Sequence, residues 1–407
     1  MNNVLKLVYD TWENNEPKPN GYVNNIALRP RLFWIPYDVI DVVLNNNYKI
    51  QNLKLEEADE NSYYIINHQC SFEFVFGKKN WVLTPSVEEM VRTKNLKIIF
   101  LSEHESFDKI ERHLTNLRDL IIKKGLKEEN FYVLNNNSNL NTFKNKLNTK
   151  INVFKTHWLT ELIASAEYEK TQFVENKKFI FLLYNRTPKP HRIGLLILLK
   201  NLGLLTDYII DWSLVYSITG NPFNNTFMDK SFIDINSKEI RPLFKEFLNV
   251  SKLSYFETDK NWFEDCSLHN VVTHNELTSF EQSYIHIVTE SYFDEVDIHI
   301  TEKTYKPFCF FQIPIFLANH NFVKKLREEH PDLYLFDDLI NHDYDNEADN
   351  NKRLGLVLNE IQRLSEMRDT IQEYYVNNKE KFIQNQNCIK QYRNHNTTLN
   401  FFKSLIK

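Results

Sequence analysis

Three short segments gather the residue types that bind phosphate or move protons. The segment YNRTPKPHR (184–192) places Arg186, Lys189, His191 and Arg192 within seven residues, directly after an apolar run and stiffened by two prolines. Arginine donates two parallel hydrogen bonds to phosphate oxygens, so such a cluster suits a diphosphate. Cations at a helix N-terminus oppose the helix dipole, and these therefore need a compensating partner. The segment IVTESYFDEVDIHITEKTYKPFCFFQIP (287–314) puts Glu290 at the end of an apolar run and Thr301, Glu302 and Lys303 at a helix start. Thr301 can cap that helix while its N–H groups face an anion, a device that needs no glycine. Lys303 and Lys306 add positive charge, and Glu290 and Glu302 are acceptors for sugar or ribose hydroxyls. The segment SEHES (102–106) offers Glu103, His104 and Glu105 as bases for an attacking hydroxyl. Successive residues point in different directions, so one or two of them face any given cleft. A buried glutamate with a raised pKa or a histidine at its ordinary value could take the proton. Acidic residues at the start of a helix also have a purely structural use, because they complement its dipole.

Composition removes several alternatives. The 407 residues include only seven glycines, Gly21, Gly77, Gly125, Gly194, Gly203, Gly220 and Gly355, all far apart. No GxGxxG or Walker loop exists, which disfavours the usual dinucleotide dehydrogenase and P-loop NTPase. Forty-nine basic against 54 acidic residues give a formal charge of −5, so binding to nucleic-acid duplexes is not expected. Cys70, Cys266, Cys309 and Cys388 form no CxxC pair, and they read as reduced thiols. His68, His274 and His320 have no metal-ligand spacing, and the acidic runs at 294–297 and 343–345 read as solvated loops. Neither a metal nor another cofactor is expected. No apolar run approaches the roughly 20 residues of a membrane span, and no signal-peptide core is visible; a soluble, cytoplasmic protein is expected.

The segments need elements to hold them. Lys97 to Leu101 reads as a buried strand, and Phe107, Ile110, Leu114, Leu117 and Ile121 follow helical spacing. Gly125 is placed to stop that helix, and Phe131 to Leu134 is the next strand. Strand, helix and strand at these lengths make a βαβ unit and hence a parallel sheet. The pattern restarts with strand Phe179 to Leu183 after a charged linker at 167–178, followed by a helix over Ile193 to Leu199 and a strand from Tyr208. A third run predicts strands at Tyr284 to Val288, Ile315 to Leu317 and Leu333 to Phe336, with helices at Thr301 to Phe310 and Asn321 to Glu329. From Lys352 onward the chain reads helical, with a stripe through Leu354, Leu358, Ile361 and Leu364. The first 60 residues give no assignable pattern.

The order and setting of the three segments resemble the α1,3-fucosyltransferase family (family 10 glycosyltransferases), in KIIFLSEHES, KFIFLLYNRTPKPHR and IVTES…ITEK, with the trailing IPIF. The resemblance covers 97–326, and ITEK after an acidic strand end is its most specific piece. VTES stands where the family has an FENS-type sequence, and the stretch leading to ITEK is longer and acidic. The resemblance implies an α/β, GT-B-like architecture of two Rossmann-like domains facing a central cleft. Its domains would be an acceptor-side domain over 1–170, a donor-binding domain over 176–348 and a C-terminal helical extension over 349–407. It implies an inverting, metal-independent transfer from a nucleotide-diphosphate sugar, GDP-fucose by analogy, to a glycan or other hydroxyl acceptor. By that resemblance Arg186 or Arg192 and Lys303 hold the diphosphate, Glu290 and Glu302 address sugar or ribose, and Glu103 or Glu105 is the base. The alternatives are an inactive nucleotide- or sugar-binding relative and a retaining transferase of the same architecture.

Overall fold

The structure, a computed structural model, describes residues 4–10, 12–13, 16–17, 49–67, 81, 83–102, 110–135, 137, 140–156, 171–184, 190–204, 208–211, 280–290, 293, 298, 300–394 and 397–405. Contacts divide the chain into two units, one of Met1–Glu161 with His395–Lys407 and one of Leu162–Asn394.

The first unit is built on six parallel strands: β1 (Val4–Tyr9), β2 (Lys49–Lys54), β3 (Ser62–Asn67), β4 (Lys97–Ser102), β5 (Phe131–Asn135) and β6 (Asn152–Lys155). Their order across the sheet is β2-β1-β3-β4-β5-β6. The βαβ unit expected around Lys97 is β4, α2 (Ile110–Lys123) and β5, and Gly125 ends the helix at φ 63°. One face of the sheet, with Val8, Ile98, Phe100 and Val133, is covered by α1 (Pro85–Lys94), α2 and α3 (Leu140–Leu147). Thr84 caps α1 by accepting from the Val87 amide at 3.3 Å, and Asn95 stops it in the left-handed region at φ 52°. The opposite face, with Leu5, Leu7, Tyr63, Ile65 and Ile99, buries Phe401 and Phe402.

The second unit has a four-stranded parallel sheet of β7 (Phe179–Tyr184), β8 (Tyr208–Asp211), β9 (Ser283–Thr289) and β10 (Ile313–Leu317), in the order β8-β7-β9-β10. Every residue of β9 is buried, as expected of a central parallel strand covered on both faces. Pro314 is tolerated in β10 because this strand is an edge, paired only with β9 among the described strands. Among the described residues this unit also contains helices α4 (Pro190–Asn201), α5 (Glu302–Cys309), α6 (Phe322–Glu329), α7 (Asn350–Ser365), α8 (Arg368–Asn377) and α9 (Lys379–Asn394). The last helix, α10 (Thr397–Leu405), belongs to the first. The tail read as one extension thus divides: Leu354, Val357, Ile361 and Leu364 of α7 join the second unit's core, and α10 completes the first.

Two local readings change. Leu333 to Phe336 is not a strand. The Tyr334 amide instead donates to Asn385 Oδ1 at 2.8 Å, and Asn385 Nδ2 donates to the Tyr334 carbonyl at 2.8 Å, so a side-chain amide replaces the neighbouring strand. The acidic triplet 343–345 is not a solvated loop. Asp345 is buried and accepts from the Val323 and Lys324 amides at 2.8 and 2.9 Å, anchoring the start of α6.

Asp338 ties the 333–338 segment to α8 and α9. It accepts from Tyr334 Oη at 2.5 Å, from Tyr374 Oη and from Lys381 Nζ at 2.9 Å. Partial burial would raise its pKa, but these three donors outweigh it and hold the group at about 2. A depressed carboxylate adds stability above its unfolded value and loses it as pH falls through its folded value. The melting midpoint of the parent chain is therefore expected to drop faster than that of Asp338→Asn between the ordinary 3.8 and about 2. Parallel slopes in a fluorimetric pH series would remove this role.

Candidate functional site

The order of the second sheet reverses between β7 and β9, and in open parallel sheets ligands bind outside the carboxyl ends of the strands at such a point. Two of the three segments meet there. Pro190 is the first residue of α4, where its missing N–H costs nothing, so His191 and Arg192 lie in a helical first turn rather than in a loop. Both turn toward β9, about 100 residues further along the chain. Arg192 Nη2 donates to the carbonyls of Thr289 at 2.8 Å and Glu290 at 3.2 Å. His191 Nε2 lies 2.9 Å from the same Glu290 oxygen. Strand-end carbonyls are thus the compensating partners that cations at this helix start require. Arg192 is only 3% exposed, beneath the surface at this point.

Glu290 is 0% exposed. Its Oε2 accepts from Thr301 Oγ1 at 2.8 Å, and its Oε1 accepts from the Thr301 amide at 3.3 Å and from Thr304 Oγ1. A carboxylate here complements the dipole of α5, so the chain supplies its own anion to the first turn. Thr301 is the N-cap as expected, its Oγ1 accepting from the Lys303 amide at 3.2 Å. Lys303 is half-buried, with Nζ 3.2 Å from Thr301 Oγ1. Lys306 is buried, and its charge acts on two interior groups. His286 is pushed down to about 3 by burial and then by Lys306, and Cys309 is driven well up by burial despite Lys306. Of the two lysines, Lys303 is the one with access to solvent. Glu302 opens the helix, and its side chain lies outside the described residues.

Glu103, His104, Glu105, Arg186 and Lys189 also lie outside the described residues. The strand that leads to the SEHES cluster is β4, an inner strand of the first sheet. Phe293 and Arg353 adjoin the site and went unnoticed in the sequence. The ring of Phe293 stacks on His191 with centroids 5.2 Å apart and an interplanar angle of 19°, and Arg353 Cζ lies 4.4 Å from the Phe293 centroid. A signal for Arg353 did exist: residues 353, 357, 361 and 364 fall on one helical face, so a charge occupies a core position.

No helix among the described residues is long and apolar enough to cross a membrane. No protein-family profile matches the chain, and no curated protein matches it. Two solved structures match the chain over most of its length. One is the DNA-modifying enzyme β-glucosyltransferase, determined with and without its substrate uridine diphosphoglucose, at TM-score 0.41 and 10% identity over 99% of both chains. The other is an α1,3-fucosyltransferase with GDP, at TM-score 0.39 and 12% identity over 92% of this chain and 82% of that one.

Proposed function

We propose that the protein is a glycosyltransferase that moves a sugar from a nucleoside-diphosphate donor to a hydroxyl acceptor. The observation that carries this reading is the meeting of 190–192 with 290–303 where the order of the second parallel sheet reverses. Lys303, with Arg186 and Lys189 from the residues between β7 and α4, holds the donor diphosphate, and Glu302 addresses ribose or sugar hydroxyls. Glu290, Thr301, His191 and Arg192 keep the α5 start and the β9 end in register beneath it. Glu103 or Glu105, both of which follow β4 in the chain, takes the proton of the attacking hydroxyl. The new glycosidic bond forms as the bond to the diphosphate breaks, and the cations stabilise the leaving charge. The transfer is inverting and needs no divalent metal, with GDP-fucose the donor that the sequence resemblance favours.

Calorimetric titration with GDP and UDP tests the donor site. Lys303→Ala is expected to bind about tenfold more weakly or worse, since a charge-assisted hydrogen bond contributes roughly 1.5–3 kcal/mol. Equal affinity in parent and variant would sink the assignment of Lys303. Failure of GDP, UDP, GDP-fucose and UDP-glucose to raise the melting midpoint of the parent at millimolar concentration would sink the donor site itself. The anomeric configuration of the product, read by NMR, separates inversion from retention, and loss of turnover in EDTA would exclude the metal-free mechanism.

A further inference from the structure

The helices after residue 349 carry none of the three segments, yet one of their side chains reaches the site. Arg353, in the first turn of α7, is 2% exposed. Its Nε donates to the carbonyl of Ala318, just past β10, at 3.0 Å. Its Nη1 donates to the carbonyls of Glu347 at 2.8 Å and Ala348 at 3.4 Å. Its Nη2 donates to the carbonyl of Phe293 and to Asn350 Oδ1, the latter at 2.6 Å. The donors of one planar group thus join the end of β10, the stretch leading into α7 and the stretch that follows Glu290. A lysine ammonium, a point charge with three donors, cannot span these acceptors in the same plane.

The contacts continue from Phe293 to the site. Its ring is held at 4.4 Å from the guanidinium carbon and stacks on His191, whose Nε2 lies 2.9 Å from the Glu290 carbonyl. Both carboxylate oxygens of Glu290 set the start of α5. A helix start has no reason of its own to keep a fixed distance from a strand that lies 11 residues before it along the chain. Phe293 stands within that interval, and α7 pins it from outside.

We propose that Arg353 is a positioning residue for the donor site, acting through Phe293 to fix the His191–Glu290 contact and the approach to Thr301. The ligand in this statement rests on the proposed function, whereas the positioning does not. Two readouts keep these apart: hydrogen exchange of peptides covering 287–304 in the unliganded chain, and calorimetric affinity for GDP and UDP. The variants are Arg353→Lys and Phe293→Leu. Asp338→Asn is the control, since it weakens the ties to Tyr334, Tyr374 and Lys381 in the same unit and makes no contact with Arg353, His191, Glu290 or Phe293 in the bonds described above.

Arg353→Lys and Phe293→Leu are expected to speed exchange across 287–304 and to weaken nucleotide binding, each by about tenfold, the scale of coupling between residues in contact. Asp338→Asn is expected to lower the melting midpoint while leaving both readouts within about twofold of the parent, as for sites that share no partners. Parent-like exchange at 287–304 in both site variants, or the same acceleration in Asp338→Asn, would overturn the proposal. A parent chain that binds neither nucleotide would overturn the donor reading, and the exchange comparison would still decide the positioning. Should Arg353→Lys fail to fold, Phe293→Leu carries the test, because it keeps an apolar side chain and removes only the ring.

Discussion

A chain carrying both Glu103→Gln and Glu105→Gln is expected to transfer sugar about 10²–10⁴-fold more slowly than the parent, the usual contribution of a general base. Its affinity for GDP or UDP should be unchanged, because the proposed donor groups lie in the second unit, between β7 and α4 and on α5, and these two residues follow β4 in the first. Glutamine keeps the shape and the hydrogen-bonding reach of glutamate but cannot take a proton at neutral pH. The single variants then say which carboxylate acts, and His104→Ala asks whether the base is the imidazole. The pH profile separates the same possibilities, since an unperturbed histidine loses activity as pH falls through about 6.5 and an unperturbed glutamate near 4.3. Full turnover in the double variant and in His104→Ala would remove the SEHES cluster from the mechanism. A parent chain that binds donor with no turnover toward any acceptor would favour the inactive-relative alternative.

Glu290→Ala is the second large effect, and it falls on stability. Three buried donors, the Thr301 amide and the hydroxyls of Thr301 and Thr304, use the Glu290 carboxylate as acceptor. Each buried donor left without a partner costs about 1–3 kcal/mol, and rotation of the two hydroxyls recovers part of the sum, so about 3 kcal/mol is expected. For a domain of this size that is a fall in melting midpoint of roughly 6–12 °C. The outcome distinguishes two roles for one residue. A carboxylate whose task was to receive sugar hydroxyls would leave the midpoint nearly in place when removed and alter only ligand binding. A midpoint within about 1 °C of the parent in scanning calorimetry would return Glu290 to that role.

The sequence shows the elements that are buried on both sides and conceals those that are not. Runs such as FIFLLY and SYIHIVT are legible because an inner parallel strand must be apolar throughout, and both form β7 and β9 at nearly the expected bounds. The first 60 residues resist reading because β2, KIQNLK, is an edge strand with polar side chains, and β1 is a six-residue run interrupted by Lys6. LYLF at 333–336 fails in the opposite direction. It is apolar because Leu333, Leu335 and Phe336 fill the core, but the backbone of Tyr334 is satisfied by Asn385, some 50 residues away. Local periodicity carries no information about such a partner.

The site shows the same division. The residue types at 184–192 and 290–303 are visible in sequence, and the fold brings Arg192 and His191 onto Glu290. The direction in which each side chain turns is not visible. Arg192 and Glu290 read as ligand groups, and in the structure they bond carbonyls and hydroxyls of the protein itself. Lys303 keeps access to solvent, and Lys306 does not. Burial sorted these residues, and it depends on contacts that no window of sequence contains.

The division of the chain also has a consequence for the order of synthesis. Phe401 and Phe402, which cover one face of the first sheet, are translated only after the whole of Leu162–Asn394. At roughly 5–20 residues per second, Leu5, Leu7, Ile65 and Ile99 must wait some tens of seconds for their covering helix while a second domain emerges from the ribosome. The first unit begins its fold earliest and closes it last, and in that interval its open sheet face is the surface a chaperone would meet.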